Sequence, residues 1–229
     1  RRSSRVGPHR SGVSEAPERT PLRQALRLLI IVEAGLARPR SAVEVVEAAI
    51  AGGARAIQLR NKGDTARELV AAGRRLTPLL RRAGALLFVN DRFDVALTLG
   101  ADGVHLGPED LPVATVRAVA PEGFLIGRSA DDPRLARDSV ADGADYIGCG
   151  TVFPTSTKSE AGDVIGVEGL RRVVRAVPVP VVGIGGITVE RARAVAETGA
   201  AGIAVVSAVM RAPDPAAVVH SMLQRFQNS

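Results

Sequence analysis

The chain contains 30 basic residues, of which only Lys62 and Lys158 are lysine. Each lysine follows a short apolar run that resembles a buried strand, and Arg60 lies beside the first of them. An ammonium group is a compact point charge, whereas a guanidinium is a planar fork, so the two are not interchangeable in a binding site. We interpret both lysines as contacts to an anionic ligand, with ordinary solvated lysines as the alternative.

Two carboxylates, Asp91 and Asp110, follow neighbouring predicted strands. Carboxylates repel a polyanion unless a divalent cation lies between them, and Mg²⁺ is commonly held by one or two carboxylates together with phosphate oxygens and water. With Arg60, Lys62 and Lys158 they predict a site for pyrophosphate and Mg²⁺. The alternative is a structural ring of ion pairs.

A second anion site is indicated by Gly185–Gly186 and Val206–Ser207, which follow two later strands. Glycines allow backbone N–H groups to approach a phosphate. General bases are scarce: His105 lies in a predicted buried strand, where it is as readily a core histidine, and Cys149 has no evident histidine to activate it. This combination favours two phosphorylated substrates and a reaction in which pyrophosphate leaves with little proton transfer.

These residues are positioned by apolar runs of β character that alternate with Ala-rich amphipathic segments. The pattern predicts a single-domain (β/α)₈ TIM barrel, with an open doubly wound sheet as the alternative. The predicted strands are Leu28–Val32, Ala56–Leu59, Leu86–Val89, Gly103–Leu106, Phe124–Ile126, Asp145–Gly148, Val181–Ile184 and Gly202–Val205. The predicted helices include Ala42–Ala51, Thr65–Ala83, Asp132–Asp142, Gly166–Val177, Thr188–Thr198 and Asp214–Phe226.

Composition limits the class of protein. We expect residues 1–22, rich in Arg, Ser, Pro and Gly, to be a disordered basic extension, and residues 23–229 to be the barrel. Residues 1–20 carry five arginines and two glutamates, which account for half of the net charge of +6, so nucleic-acid binding rests only on this tail. The single cysteine and the lack of a membrane-length apolar run predict a cytoplasmic protein without a membrane partner, and a homo-oligomer is compatible with the sequence.

Six motifs closely resemble the successive motifs of the thiamine-phosphate synthase family. In order they are QLRNK from Gln58, NDRFDVALTLGADGVHLGPEDLP from Asn90, IGRSADD from Ile126, DYIGCGTVFPTSTK from Asp145, GIGGIT from Gly183 and IAVVSA from Ile203. The resemblance implies a TIM barrel that joins hydroxymethylpyrimidine pyrophosphate to thiazole phosphate and requires Mg²⁺. It also implies a dissociative reaction, in which pyrophosphate departs before the thiazole nitrogen attacks the pyrimidine carbocation.

The resemblance further implies roles for individual residues. Lys158, Ser129 and Arg60 would be catalytic, and Asp91 and Asp110 would hold the metal. The pyrimidine pyrophosphate site would comprise Gln58, Arg60, Lys62, Asn90, Ser129 and Lys158. The thiazole phosphate site would comprise Thr155, Thr157, Gly186, Val206 and Ser207.

The chain departs from the family pattern at four positions: Asn61, Pro108, Thr151 and Asp131. A sister family of thiazole tautomerases resembles the same barrel and needs a histidine near the last of these positions. Asp131 therefore favours the synthase over the tautomerase. A non-catalytic sensor of phosphorylated ligands is a further alternative, which the retained Asp91, Asp110 and Lys158 disfavour.

Overall fold

The structure, a computed structural model, describes residues 19–155 and 163–227. Eight parallel strands close into a barrel in sequential order, each paired with the next and the last with the first. This confirms the predicted TIM barrel. The strands are β1 Leu28–Val32, β2 Ala56–Leu59, β3 Leu86–Asn90, β4 Gly103–Leu106, β5 Leu125–Ser129, β6 Tyr146–Cys149, β7 Val181–Ile184 and β8 Gly202–Val205.

Helices connect the strands and cover the outside of the barrel. Two of them begin with a capping box, in which Ser41 or Thr65 exchanges hydrogen bonds with Glu44 or Glu68 three residues later. A 3₁₀ turn spans Ala34–Leu36. The helices are α1 Leu22–Ala25, α2 Ala42–Ala51, α3 Ala66–Arg82, α4 Phe93–Leu99, α5 Val113–Val119, α6 Pro133–Ala141, α7 Gly166–Ala176, α8 Ala192–Ala196, α9 Ser207–Met210 and α10 Pro215–Gln227.

Two predicted boundaries differ in ways that affect the site. The fifth strand was predicted to end at Ile126, but β5 continues to Ser129 because Ser129 pairs in register with Gly148 of β6. Ser129 is therefore held by the sheet rather than by a loop. The helix predicted over Thr188–Thr198 is confined to Ala192–Ala196, and turns flank it on both sides.

The hydrophobic core has two parts. A large aliphatic cluster fills the space between the strands and the outer helices. A smaller one fills the barrel interior from alternate strand positions, and its largest members, Phe88 and Tyr146, meet edge to face with centroids 5.4 Å apart. Gly127 makes room for this pair, because a Cβ there would lie 2.1 Å from the Tyr146 ring.

Residues 19–22 of the predicted extension lie against the barrel. Arg19 forms an ion pair with Asp102, and the Thr20 N–H donates to the Gly84 carbonyl at 3.0 Å. Residues 1–18, on which the rest of that prediction falls, lie outside the described residues. Within the described ranges, no helix is both long and apolar enough to cross a membrane.

We predict that Gly127→Ala destabilises the protein by about 1–3 kcal/mol, the usual cost of overpacking a core, because the new methyl group overlaps the Tyr146 ring. Gly35→Ala is the matched control, since a Cβ at Gly35 meets nothing within 4 Å. Urea unfolding measures both. Equal midpoints for the two variants would contradict the tight packing of the barrel interior.

Candidate active site

A cavity of about 1060 Å³ opens at the carboxyl ends of the strands, where TIM barrels place their chemistry. All described members of the predicted site line it, and Thr157 and Lys158 lie outside the described residues. Their individual roles stay predictions. The described members are Gln58, Arg60, Lys62, Asn90, Asp91, Asp110, Ser129, Thr155, Gly186, Val206 and Ser207.

The two predicted metal carboxylates are in contact. The Asp91 and Asp110 carboxyl groups hydrogen-bond to each other, and the Gly107 N–H donates to Asp110 Oδ2 at 2.5 Å. Burial, this hydrogen bond and the Asp110 charge raise the pKa of Asp91 to about 7, against the opposing charges of Arg60 and Lys62. A cation that takes the place of the proton between two such carboxyl groups offsets the repulsion between their negative charges.

The donor set fits a magnesium ion. Within the described part of the chain, no three His, Cys, Asp or Glu side chains cluster closely enough to form a closed metal site. Two carboxylates beside an open cavity are instead the arrangement in which Mg²⁺ keeps water and takes its remaining ligands from substrate phosphates. Asp91 has a φ of 64°, a left-handed conformation that is uncommon for non-glycine residues and that occurs at functional sites.

Arg60 is held by Glu33, a cavity residue that the sequence analysis missed. The Arg60 and Glu33 side chains form an ion pair and are only 14% and 20% exposed. The backbone N–H of Arg60 donates to the Val32 carbonyl at 3.0 Å. The ion pair anchors the guanidinium at the barrel mouth. The available signal was the position of Glu33, immediately after β1.

His105 takes part in a hydrogen-bond chain inside the barrel. Its Nδ1 lies 3.0 Å from the Tyr146 hydroxyl, and its Nε2 lies 3.0 Å from Ser129 Oγ. His105 and Tyr146 both line the cavity, so His105 is a hydrogen-bonded interior histidine that also reaches the site. Sequence reasoning missed Tyr146, since only its place in a strand was visible.

The glycine pair after β7 packs against the loop that follows β6. The Phe153 N–H donates to the Gly185 carbonyl at 3.1 Å, and Arg191 donates to the Gly186 carbonyl at 2.7 Å. The Arg191 guanidinium also lies 4.9 Å from the Phe153 ring centroid. Arg191 lines the cavity and was missed, because its contacts depend on how two loops meet.

Gly186 has a φ of 60°, and a Cβ there would lie 2.6 Å from the Pro154 carbonyl oxygen. Both facts require glycine. The neighbouring part of the cavity is formed by Val206 and Ser207, where α9 begins.

Asp131, which replaces the histidine expected in tautomerases, has a structural contact. Its Oδ1 accepts a hydrogen bond from the Gly150 N–H at 2.9 Å. Gly150 begins the loop after β6 and has a φ of 155°. Asp131 therefore ties the end of β5 to this loop at the edge of the cavity.

We predict that Asp91→Asn stabilises the metal-free protein above pH 7. The unfolded chain loses the Asp91 proton near pH 4 and the folded protein loses it near pH 7, so stability falls between those values and the penalty is complete above pH 7. Asparagine lacks the charge and tolerates a left-handed backbone. Urea unfolding in EDTA at pH 4 and pH 8 should show a gain for the variant only at pH 8.

Asp94→Asn serves as the control, because Asp94 is exposed and pairs with Arg92 outside the cavity. Adding Mg²⁺ at pH 8 should raise the thermal midpoint of the wild type and of this control, but not that of Asp91→Asn. A variant that is less stable than the wild type at pH 8 would contradict the carboxyl-pair interpretation.

The comparisons with known proteins agree with the geometry. The thiamine monophosphate synthase family model matches residues 28–209. A thiamine-phosphate synthase of Pyrococcus furiosus is 49% identical over 193 residues, which cover 84% of this chain and 91% of that protein. One of Roseiflexus castenholzii is 46% identical over 193 residues, covering 84% and 85%.

A solved structure, described as thiamine phosphate pyrophosphorylase from Pyrococcus furiosus, has 44% identity and a TM-score of 0.82. The match covers 91% of this chain and 98% of that one. The family model spans most of the chain, and relatives at nearly half identity align with most of its length. The chain therefore belongs to the thiamine monophosphate synthase family.

Proposed function

We propose that the protein joins 4-amino-5-hydroxymethyl-2-methylpyrimidine pyrophosphate to thiazole phosphate, giving thiamine phosphate and pyrophosphate. The observation that carries the proposal is the meeting of cationic, carboxylate and glycine groups in one barrel-mouth cavity, in a member of this family. The C–O bond between the pyrimidine methylene and pyrophosphate breaks with its electron pair on oxygen. The thiazole nitrogen lone pair then forms the new C–N bond.

This reaction suits the side chains of the cavity. Bond breaking places negative charge on pyrophosphate, which Arg60 and Lys62 stabilise electrostatically from the end of β2. We assign the same role to Lys158. The reaction needs no proton transfer to form the new bond, which agrees with a cavity whose one described histidine is engaged with Tyr146 and Ser129.

We assign Mg²⁺ to Asp91 and Asp110. When bound, the ion neutralises charge on the pyrophosphate and favours its departure. The two carboxylates would hold the ion, and the positive charges of Arg60 and Lys62 lie close enough to Asp91 to oppose the rise of its pKa in the metal-free protein. Support comes from the position of the two carboxyl groups side by side in the cavity and from the Gly107 N–H, which fixes Asp110.

The two substrates occupy different sides of the cavity in this proposal. Residues from β2 to β5 bind the pyrimidine pyrophosphate: Gln58, Arg60, Lys62, Asn90 and Ser129, with Lys158. Residues after β6 to β8 bind the thiazole phosphate: Thr155, Thr157, Gly186, Val206 and Ser207. Apolar side chains such as Ile31, Val182 and Ile184 also line the cavity, and such a lining limits the access of water to a cationic intermediate.

We also propose a cytoplasmic location and small phosphorylated molecules as the ligands, without a nucleic-acid or membrane partner. The one cysteine supports the compartment. Cys149 is buried, and burial raises the pKa of its thiol to about 12, so it is suited to packing rather than to redox chemistry.

The direct test is incubation of the purified protein with both substrates and Mg²⁺. Mass spectrometry should detect thiamine phosphate, and EDTA should abolish its formation because the carboxyl pair would face pyrophosphate without a cation. Asp91→Asn and Asp110→Asn should lose the metal response, whereas Asp94→Asn should retain it. Absence of product from the folded wild type would refute the reaction, and product formation that is insensitive to EDTA would refute the metal assignment.

Gly186→Ala tests the division of the cavity. The substitution strains a left-handed residue and crowds the Phe153 and Pro154 carbonyls, so it shifts the loop that carries Thr155. The KM for thiazole phosphate should rise at least tenfold more than that for the pyrimidine substrate, where tenfold corresponds to about 1.4 kcal/mol. Ser207→Ala should act in the same direction, more mildly.

Gly123→Ala is the matched control for the backbone effect. Gly123 also has a positive φ, 75°, but a Cβ there meets nothing within 4 Å and Gly123 does not line the cavity. It should lower stability without changing either KM. Equal rises in both KM values for Gly186→Ala would show that the cavity is not divided in this way.

A further inference from the structure

A continuous chain of side-chain hydrogen bonds joins three neighbouring strands inside the barrel, at the cavity. It runs from the Tyr146 hydroxyl on β6 to His105 on β4, and ends at the Ser129 hydroxyl on β5. Tyr146 is completely buried from solvent, and the partly exposed Ser129 lines the cavity together with His105. The chain therefore connects a buried phenol to a side chain assigned to the pyrimidine pyrophosphate.

The packing fixes both rings. A Cβ at Gly127 would overlap the Tyr146 ring, and a Cβ at Gly148 would lie 2.9 Å from His105 Cε1. The two rings lie 5.5 Å apart between centroids, tilted by 36°. Because glycine occupies two neighbouring strands at these points, the imidazole lies between Tyr146 and Ser129 with each ring nitrogen aimed at one hydroxyl.

The chemistry of the groups selects one direction for the donors. A phenol is a strong donor and a weak acceptor, and an unprotonated imidazole nitrogen is the strongest acceptor available to it. Burial raises the pKa of Tyr146 far above its usual range, so the phenol keeps its proton and can donate. The Tyr146 O–H then donates to His105 Nδ1, and the imidazole carries its proton on Nε2 and donates to Ser129 Oγ.

Because Ser129 Oγ accepts a hydrogen bond from His105 Nε2, its own O–H points away from the imidazole and can donate to another group. We infer that Tyr146 and His105 are positioning residues, which hold the Ser129 hydroxyl as a hydrogen-bond donor toward the substrate in the cavity. The inference rests on the proposed function, because the substrate that Ser129 contacts is the proposed pyrimidine pyrophosphate. Such a donor would stabilise negative charge on the departing group without accepting a proton from it.

The first test needs no substrate. The chain contains three histidines, His9, His105 and His220, so ¹⁵N-labelled imidazoles give few signals in a ¹H–¹⁵N correlation spectrum. His105 should show an unprotonated Nδ1 and a protonated Nε2 at neutral pH, and His220→Gln, at an exposed position of α10, helps to assign its signals. Protonation on Nδ1, or on both nitrogens, would overturn the donor direction.

The second test is a double-mutant cycle on turnover. Tyr146→Phe keeps the ring and its contact with Phe88 but removes the donor, so kcat should fall about three- to tenfold, the effect of one neutral hydrogen bond. In a Ser129→Ala background the same change should cost less than about twofold, because the group that it positions is gone. A purely structural role would cost the same in both backgrounds and would overturn the inference.

Two further outcomes separate the inference from the proposed function. Absence of synthase activity in the wild type would refute the function, while the tautomer measured in that same protein would still decide the hydrogen-bond direction. If Tyr146→Phe fails to fold, His105→Gln replaces it, since a glutamine amide keeps an N–H donor for Ser129. That variant should retain more activity than His105→Leu, and equal loss would overturn the positioning role.

Discussion

The backbone pairing of β1 with β8 closes the sheet, and the position of every functional group depends on it. Leu29 pairs with Ala204 and Ile30 with Val205, so the first and last strands share one ladder. This closure requires Gly202, where a Cβ would lie 1.7 Å from the Leu26 carbonyl oxygen. A closed parallel barrel brings all eight strand ends to one rim, and residues that are far apart in sequence therefore line one cavity.

Electrostatics at that rim is unfavourable in the protein alone. Asp91 and Asp110 are neighbours whose charges repel, and Arg60 forms an ion pair with Glu33 in a largely buried position. A protein selected only for stability would avoid such an arrangement. In the proposed function both features become favourable, because a cation would offset the repulsion of the carboxylates and a polyanion would pair with the cationic side chains, so the metal-free cavity would be complementary to the two of them together.

Sequence reasoning identified groups at strand ends because alternation and the parallel topology determine where they lie. Every second residue from Gln58 on β2 lines the cavity, continuing beyond the end of the strand to Arg60 and Lys62. Contacts that depend on three-dimensional packing were not predictable in this way. Glu33 with Arg60 and Arg191 with Phe153 pair side chains from separate βα units, and no sequence spacing encodes such pairs.

The scarcity of lysine has a practical consequence. Lys62 is exposed and lines the cavity, and Lys158, which follows β6 in the sequence, carries the only other side-chain amine of the chain. The many arginines elsewhere do not react with amine-directed acylating reagents. Apart from the α-amine, such a reagent therefore labels only the two side chains that the proposed function assigns to the pyrimidine pyrophosphate, and protection of Lys62 from labelling would report that the cavity is occupied.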